Sequence, residues 1–164
     1  MSIDYIVTPV TREFLTWGRE CGVPIDLMTS SGGTVTLADL TRVLQSLDGF
    51  THDIKGEEHN FSARLDSIEM YDWEYESNDP VMNQAFGGTH TSPRESISID
   101  RLNVKNQSPA LSLHGDITLV LLIARKLAQS CGPQAAFATC DGIPAFFLPD
   151  QQMPVWKEPW IDET

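Results

Sequence analysis

Apolar residues recur along the chain in two periods, and the places where the period changes mark out the elements. The longest helical pattern lies between His114 and Cys140. Ile117, Val120, Leu121, Ala124, Leu127, Ala128 and Cys131 recur at steps of three and four, the spacing of one helix face, and Leu119, Leu122 and Ile123 widen that face until the helix must be buried. Asp116 stands where an N-cap accepts first-turn N–H groups, Gly132 where a left-handed residue closes the last turn, and Pro133 forbids continuation. Ala135–Thr139 then reads as a short interior strand. Asp141-Gly142, between that run and Ala145–Leu148, predicts a hairpin.

Upstream, Ile3–Val7 alternates and predicts a first strand, ended by Thr8 and Pro9. Thr11 is placed to cap a helix with Phe14, Leu15, Trp17 and Cys21 on one face, closed by Gly22 and Pro24. Ile25–Met28 reads as a short strand and Ser30-Ser31-Gly32-Gly33 as a turn. Thr36 with Asp39 three residues on predicts a capping box, Asp standing for the usual Glu, ahead of a helix that turns Leu37, Leu40, Val43, Leu44 and Leu47 inward. From Asn60 to Glu76 the period falls to two. Phe61, Ala63 and Leu65, then Ile68 and Met70, give way to Tyr71, Trp73 and Tyr75 on the other parity, so a bulge or turn near Ser67 separates two antiparallel strands. Residues 77–95, dense in Gly, Asn, Ser and Pro, read as one long surface loop, Ser96–Val104 as another strand, and Lys105–Pro109 as a turn. Beyond Pro149 the prolines and Trp156 and Trp160 follow no period, which predicts a tail lying extended across the surface. The expectation is one α+β domain over residues 1–164: a mainly antiparallel sheet of five to six strands, with about three helices packed on one face.

Composition narrows the classes. At 164 residues, 41% of them hydrophobic, the chain is long and apolar enough for one core and no more. No apolar run approaches the roughly 20 residues of a membrane span. The N-terminus carries an acid where a secretory signal has Lys or Arg, and three cysteines at unrelated spacings make no disulfide framework, so a reducing cytoplasm is the expected setting.

Charge says more. Acids outnumber bases 23 to 11, a formal charge of −12. Between Asp48 and Asp79 the only bases are Lys55 and Arg64, while acids crowd the segment. Nucleic acids and anionic membranes need a basic footprint, so neither is expected as a partner; a basic protein is. Within this segment Tyr71-Asp72-Trp73-Glu74-Tyr75-Glu76 alternates aromatic and acidic residues, and Tyr and Trp carry binding energy at interfaces. The candidate partner-binding set is therefore Asp53, Glu57, Glu58, Asp72, Trp73, Glu74, Tyr75 and Glu76.

Catalytic and cofactor motifs do not compete with this. His52, Asp53, Glu57, Glu58 and His59 lie close together but match neither zinc-finger spacing nor His-Glu-x-x-His, and they read as a solvated acidic loop with no metal. Ser30-Ser31-Gly32-Gly33-Thr34 precedes a helix but lacks the Gly-Lys-Thr ending of a P-loop, and no cofactor is implied. Cys140 lies at the end of an apolar strand beside Asp141, a setting that favours the thiol over the thiolate.

A small, single-domain, strongly acidic chain with this local excess of carboxylates resembles, in size and charge, the bacterial immunity proteins that neutralise toxins. The resemblance implies a non-enzymatic inhibitor whose target is a basic protein. The rival reading is an enzyme or small-molecule binder with a site between the loop 77–95 and the Asp141-Gly142 turn, using His90, His114 and Asp141. A third is a subunit of a homo-oligomer.

Overall fold

A computed structural model describes residues 4–67, 71–76, 78–92, 96–102, 110–139 and 142–157. In chain order these form β1 (Asp4–Pro9), α1 (Arg12–Glu20), α2 (Leu37–Gln45), β2 (Phe50–Glu57), β3 (Asn60–Ser67), β4 (Tyr71–Tyr75), α3 (Pro80–Phe86), β5 (Gly88–Ser92), β6 (Ser96–Leu102), β7 (Ala110–Gly115), α4 (Ile117–Cys131), β8 (Gln134–Ala138) and β9 (Ala145–Phe147). Seven strands build one antiparallel sheet in the order β2-β3-β6-β7-β1-β8-β9, and β4 pairs with β5 in a separate two-stranded sheet. The domain is α+β as expected, with more strands than expected.

The long apolar helix is α4. Leu119 to Ala124, Leu127 and Ala128 are all buried in it. They meet one face of the sheet together with α2, whose Leu40, Val43 and Leu44 join the same core. Strand parity fixes that face: Val7 of β1 stands opposite Leu111 of β7 and Ala136 of β8, Ile99 opposite Ala63 and Leu113, and every one of these side chains is buried. The expected helix starts hold at α1 and α2. Thr11 accepts from Phe14 N, and Thr36 and Asp39 exchange the two bonds of a capping box. At α4 the expectation fails in detail. Asp116 occupies the N-cap position with extended backbone, but its side chain makes no cap hydrogen bond. Gly132 does take a positive φ of 87°, with an extended ψ of −178° rather than the left-handed helical value.

The helices are not all on one side. α1 packs on the opposite face, where Ala135 and Phe146 are buried with Leu15 and Val10, and where Phe137 holds the rings of Phe14 and Trp17 at 6.3 and 5.3 Å. The reason lies in β8, whose Gln134, Ala135 and Ala136 are buried at consecutive positions; such a strand needs cover above and below, and α1 supplies the second cover. The tail closes the adjoining edge. Phe146 and Val155 exchange two backbone hydrogen bonds of 2.8 Å, and Met153 and Trp156 are buried against the core, so the tail packs as expected; Trp160 lies outside the described residues.

Three local expectations are overturned. Residues 77–95 are not one loop: Asp79 accepts from Val81 N ahead of Pro80, starting α3, and β5 follows. The Gly, Asn and Pro residues there serve as caps and junctions between short elements. Ile25–Met28 is not a strand, because Asp26 accepts from Met28 N at 2.8 Å and from Thr29 at its carbonyl, folding the segment into a turn. The acidic run through His52 to Glu57 is no loop either; it is β2, paired along its length with β3 and turning at Glu58-His59. Cys140, Asp141 and the turn at Lys105–Pro109 lie outside the described residues.

Candidate binding face

Because α1 covers only the β1-β8-β9 end of its face, no helix among the described residues stands above the β2-β3-β6-β7 half of that face. The register lines up its side chains. Asp53 of β2 stands opposite Arg64 of β3, Arg64 opposite Ser98 of β6, Ser98 opposite His114 of β7, and His114 opposite Asp4 of β1. Neighbouring rows add Asp66 and Ser96, then Asp100 between Ser62 and Ser112. Asp4, Asp53, Ser62, Arg64, Asp100 and His114 are exposed, while Ser96, Ser98 and Ser112 are half-buried between them. Small hydroxyl side chains thus floor the middle of the surface, and longer charged groups stand around them.

The charges are partly matched. Lys55 lies 3.4 Å from Asp53, Arg64 3.1 Å from Asp66, and the His114 Nδ1–H donates to Asp4 Oδ1 at 2.5 Å. Five carboxylates (Asp4, Asp53, Glu57, Asp66 and Asp100) face two permanent cations (Lys55 and Arg64), so the surface as a whole is acidic. Exposed pairs of this kind hold little stabilising energy and are free to exchange partners.

The residues expected to bind a partner are divided by this geometry. Asp53 and Glu57 lie on the open face, by the parity that turns Phe50 and Ile54 toward the core. Glu58 lies in the turn and reaches the other way: its carboxylate accepts from Leu37 N at 3.1 and 3.3 Å, satisfying a first-turn N–H of α2. It also opposes the effect of burial on Arg101. Burial pushes that guanidinium's pKa down, and the charge of Glu58 pushes it up. Arg101 donates to Val35 O and lies 5.6 Å from the centre of the Phe61 ring. Glu58 is therefore a fastening between the β2–β3 turn and α2. Glu74 and Glu76 are exposed, but Arg125 of α4 donates to Glu74 O at 2.9 Å, which sets β4 beside α4 and away from Asp53 and Glu57. Glu76 lines an acidic cleft of about 430 Å³ with Asn78, Asp79 and residues 150–154. The side chains of Asp72, Trp73 and Tyr75 lie outside the described residues.

Of the rival site, only the His114 side chain lies among the described residues. His114 pairs with Asp4; Asp141 and the side chain of His90 lie outside the described residues. Among the described residues no three His, Cys, Asp or Glu side chains stand together as metal ligands. The Ser30–Gly33 segment uses its amides internally, Gly32 N donating to Val10 O and Gly33 N to Cys131 O, and presents neither to an anion.

Sequence reasoning missed Asp4, Ser98, Asp100 and His114 as neighbours. Each is a polar position on an alternating strand, but only the order of strands puts them in one row. Away from the face, two groups shift each other's titration at the junction of α2 and α4. Burial raises the Asp39 carboxyl, but bonds from Thr36 N, the Thr36 hydroxyl and the Cys131 thiol outweigh it and leave the pKa below 3.8. Burial and the nearby Asp39 charge push the Cys131 thiol up to about 11, so it is a protonated donor and no nucleophile. Among the described residues no helix is long and apolar enough to cross a membrane. Comparison of the chain with protein-family models, with curated proteins and with solved structures finds no match, so the reading of function rests on this face alone.

Proposed function

We propose that the protein is a non-enzymatic binding protein that takes a basic protein partner on the open half of its sheet, in the manner of an immunity protein that neutralises a cognate toxin in the cytoplasm. The observation that carries this is the net-acidic face itself, which no helix among the described residues covers. A seven-stranded sheet leaves polar side chains from β2, β3, β6 and β7 in solvent, with five carboxylates around a floor of serines. A surface held by paired strands costs little to organise on binding, and its field speeds encounter with an oppositely charged surface.

The test is charge reversal on the face against charge reversal off it. The protein retained most strongly by the immobilised chain is isolated, and its association rate is measured with wild type, with Asp53→Lys/Glu57→Lys/Asp100→Lys, and with Glu74→Lys/Glu76→Lys. The triple variant should lose association at least tenfold and the double variant should stay near wild type. The wild-type rate should fall as salt rises, since exposed charges are screened beyond about 8 Å at physiological ionic strength. For the inhibitor reading, co-expression should relieve the toxicity of the isolated partner. A rate that ignores both salt and the triple variant refutes the docking face, and a partner without toxicity refutes the inhibitor.

A further inference from the structure

We propose that β2 is also a homodimerisation edge, pairing antiparallel with β2 of a second copy about a two-fold axis through Ile54. The two edges of the seven-stranded sheet differ. At β9 the edge is closed by the two hydrogen bonds between Phe146 and Val155. At β2 no strand among the described residues pairs with the outer side, although Thr51, His52, Asp53, Lys55, Gly56 and Glu57 are all exposed. A long strand with free N–H and C=O groups is a template for another strand. Because a two-fold pairing uses the same edge of both copies, it closes at two copies and does not propagate into a fibre.

The register is selected by charge. For the two sheets to continue face to face, each residue must stand opposite one of its own parity, since Phe50 and Ile54 point to the core while Thr51, Asp53, Lys55 and Glu57 point to the open face. With Ile54 opposite Ile54 of the second copy, Asp53 stands opposite the partner copy's lysine at 55 and Lys55 opposite its aspartate at 53. Two ion pairs then flank an apolar contact at the axis, joining the 3.4 Å pair that Asp53 and Lys55 already make along their own strand. The next register in one direction puts Asp53 opposite its own copy. The next in the other puts Lys55 opposite its own copy and Asp53 opposite Glu57. Both juxtapose like charges. Alternating charges are a common guard on free edges, but here they attract in the central register and repel in the two beside it. The net charge of −12 on each chain opposes approach, and physiological salt screens it beyond about 8 Å.

The experiment is sedimentation velocity of the isolated full chain at rising protein concentration in about 0.15 M salt, where the Debye length is about 8 Å, with far-ultraviolet circular dichroism to confirm that each variant is folded. Wild type should move from the 18.2 kDa monomer toward twice that mass. Asp53→Lys and Lys55→Asp should each remain monomeric, one facing Lys to Lys and the other Asp to Asp. The double exchange, Asp53→Lys with Lys55→Asp, should restore the dimer. Monomers at every concentration, or a dimer that survives both single variants, overturns the proposal. No partner protein is present in this measurement, so its failure leaves the docking face standing, and failure of the docking face leaves the dimer standing.

Discussion

Gly32→Ala is the substitution whose cost the structure specifies best. A Cβ built on Gly32 falls 1.7 Å from the carbonyl oxygen of Pro133, where real Cβ atoms do not come under 3.0 Å. The obstacle is backbone and cannot rotate aside, so the Ser30–Gly33 segment must lift. Three bonds hold it and its support: Gly32 N to Val10 O at 3.1 Å, Gly33 N to Cys131 O at 2.7 Å, and Val10 N to Pro133 O at 3.0 Å. Gln134, fully buried, also donates its Nε2–H to Gly33 O at 3.0 Å. At about 1 kcal/mol net for each bond lost, with more where a buried group is left unsatisfied, the expected destabilisation is about 3 kcal/mol. An unconstrained loop predicts the opposite sign, a gain of about 0.4–1 kcal/mol from the reduced entropy of the unfolded chain. Gly142 is the control, since a Cβ there meets nothing closer than the Trp17 ring at 3.5 Å. Urea unfolding followed by circular dichroism reads both. Gly32→Ala should shift the midpoint sharply down with unchanged slope, and Gly142→Ala should stay within about 1 kcal/mol of wild type. A Gly32→Ala protein as stable as wild type refutes the interlocked segment.

Two further outcomes test the core and its titration. Leu121 is 1% exposed in the middle of α4, so Leu121→Ala should cost about 2–5 kcal/mol and Leu121→Asp more, whereas losses under about 1 kcal/mol would show that the helix is not buried. Asp39, held below its ordinary 3.8, gives stability that is present above that value and is lost as pH falls through the folded-state pKa; Cys131, raised from 9.0 to about 11, gives stability that is present below pH 9 and is lost as pH climbs toward 11. Urea midpoints across pH should therefore fall at both ends, Asp39→Asn should blunt the acid limb and Cys131→Ala the alkaline limb, and limbs indifferent to these variants would contradict the coupling.

Much of the fold is local and was legible as such. The period of Ile117–Cys131, the Thr36/Asp39 capping box and the phase change after Leu65 each depend on residues within a few positions of one another. What escaped depends on strand order. Asp4 and His114 are 110 residues apart and meet only because β1 enters the sheet beside β7. The side on which α1 packs was invisible because its apolar face fits either surface, and only the burial of β8 on both sides decides it. Glu58 reads as one more acid in an acidic run until the hairpin brings it to the start of α2. The candidate site was thus half legible: Asp53 and Glu57 were found by charge, and their companions across the sheet were not.

The hairpin of β4 and β5, with α3 between them, has a consequence for how the protein can vary. The chain leaves the large sheet after Ser67 and returns at Ser96, and Asp66 stands directly opposite Ser96 in adjacent antiparallel strands. A tight turn could span the same gap. Everything between is a detour whose two ends are neighbours, anchored on α4 through the Arg125 bond to a main-chain carbonyl that any residue at position 74 would offer. The strand pairings that set the register of the seven-stranded sheet all lie outside that detour. Insertions, deletions and side-chain exchange can accumulate there while the main scaffold keeps its register, which makes residues 68–95 the place where related chains would diverge first.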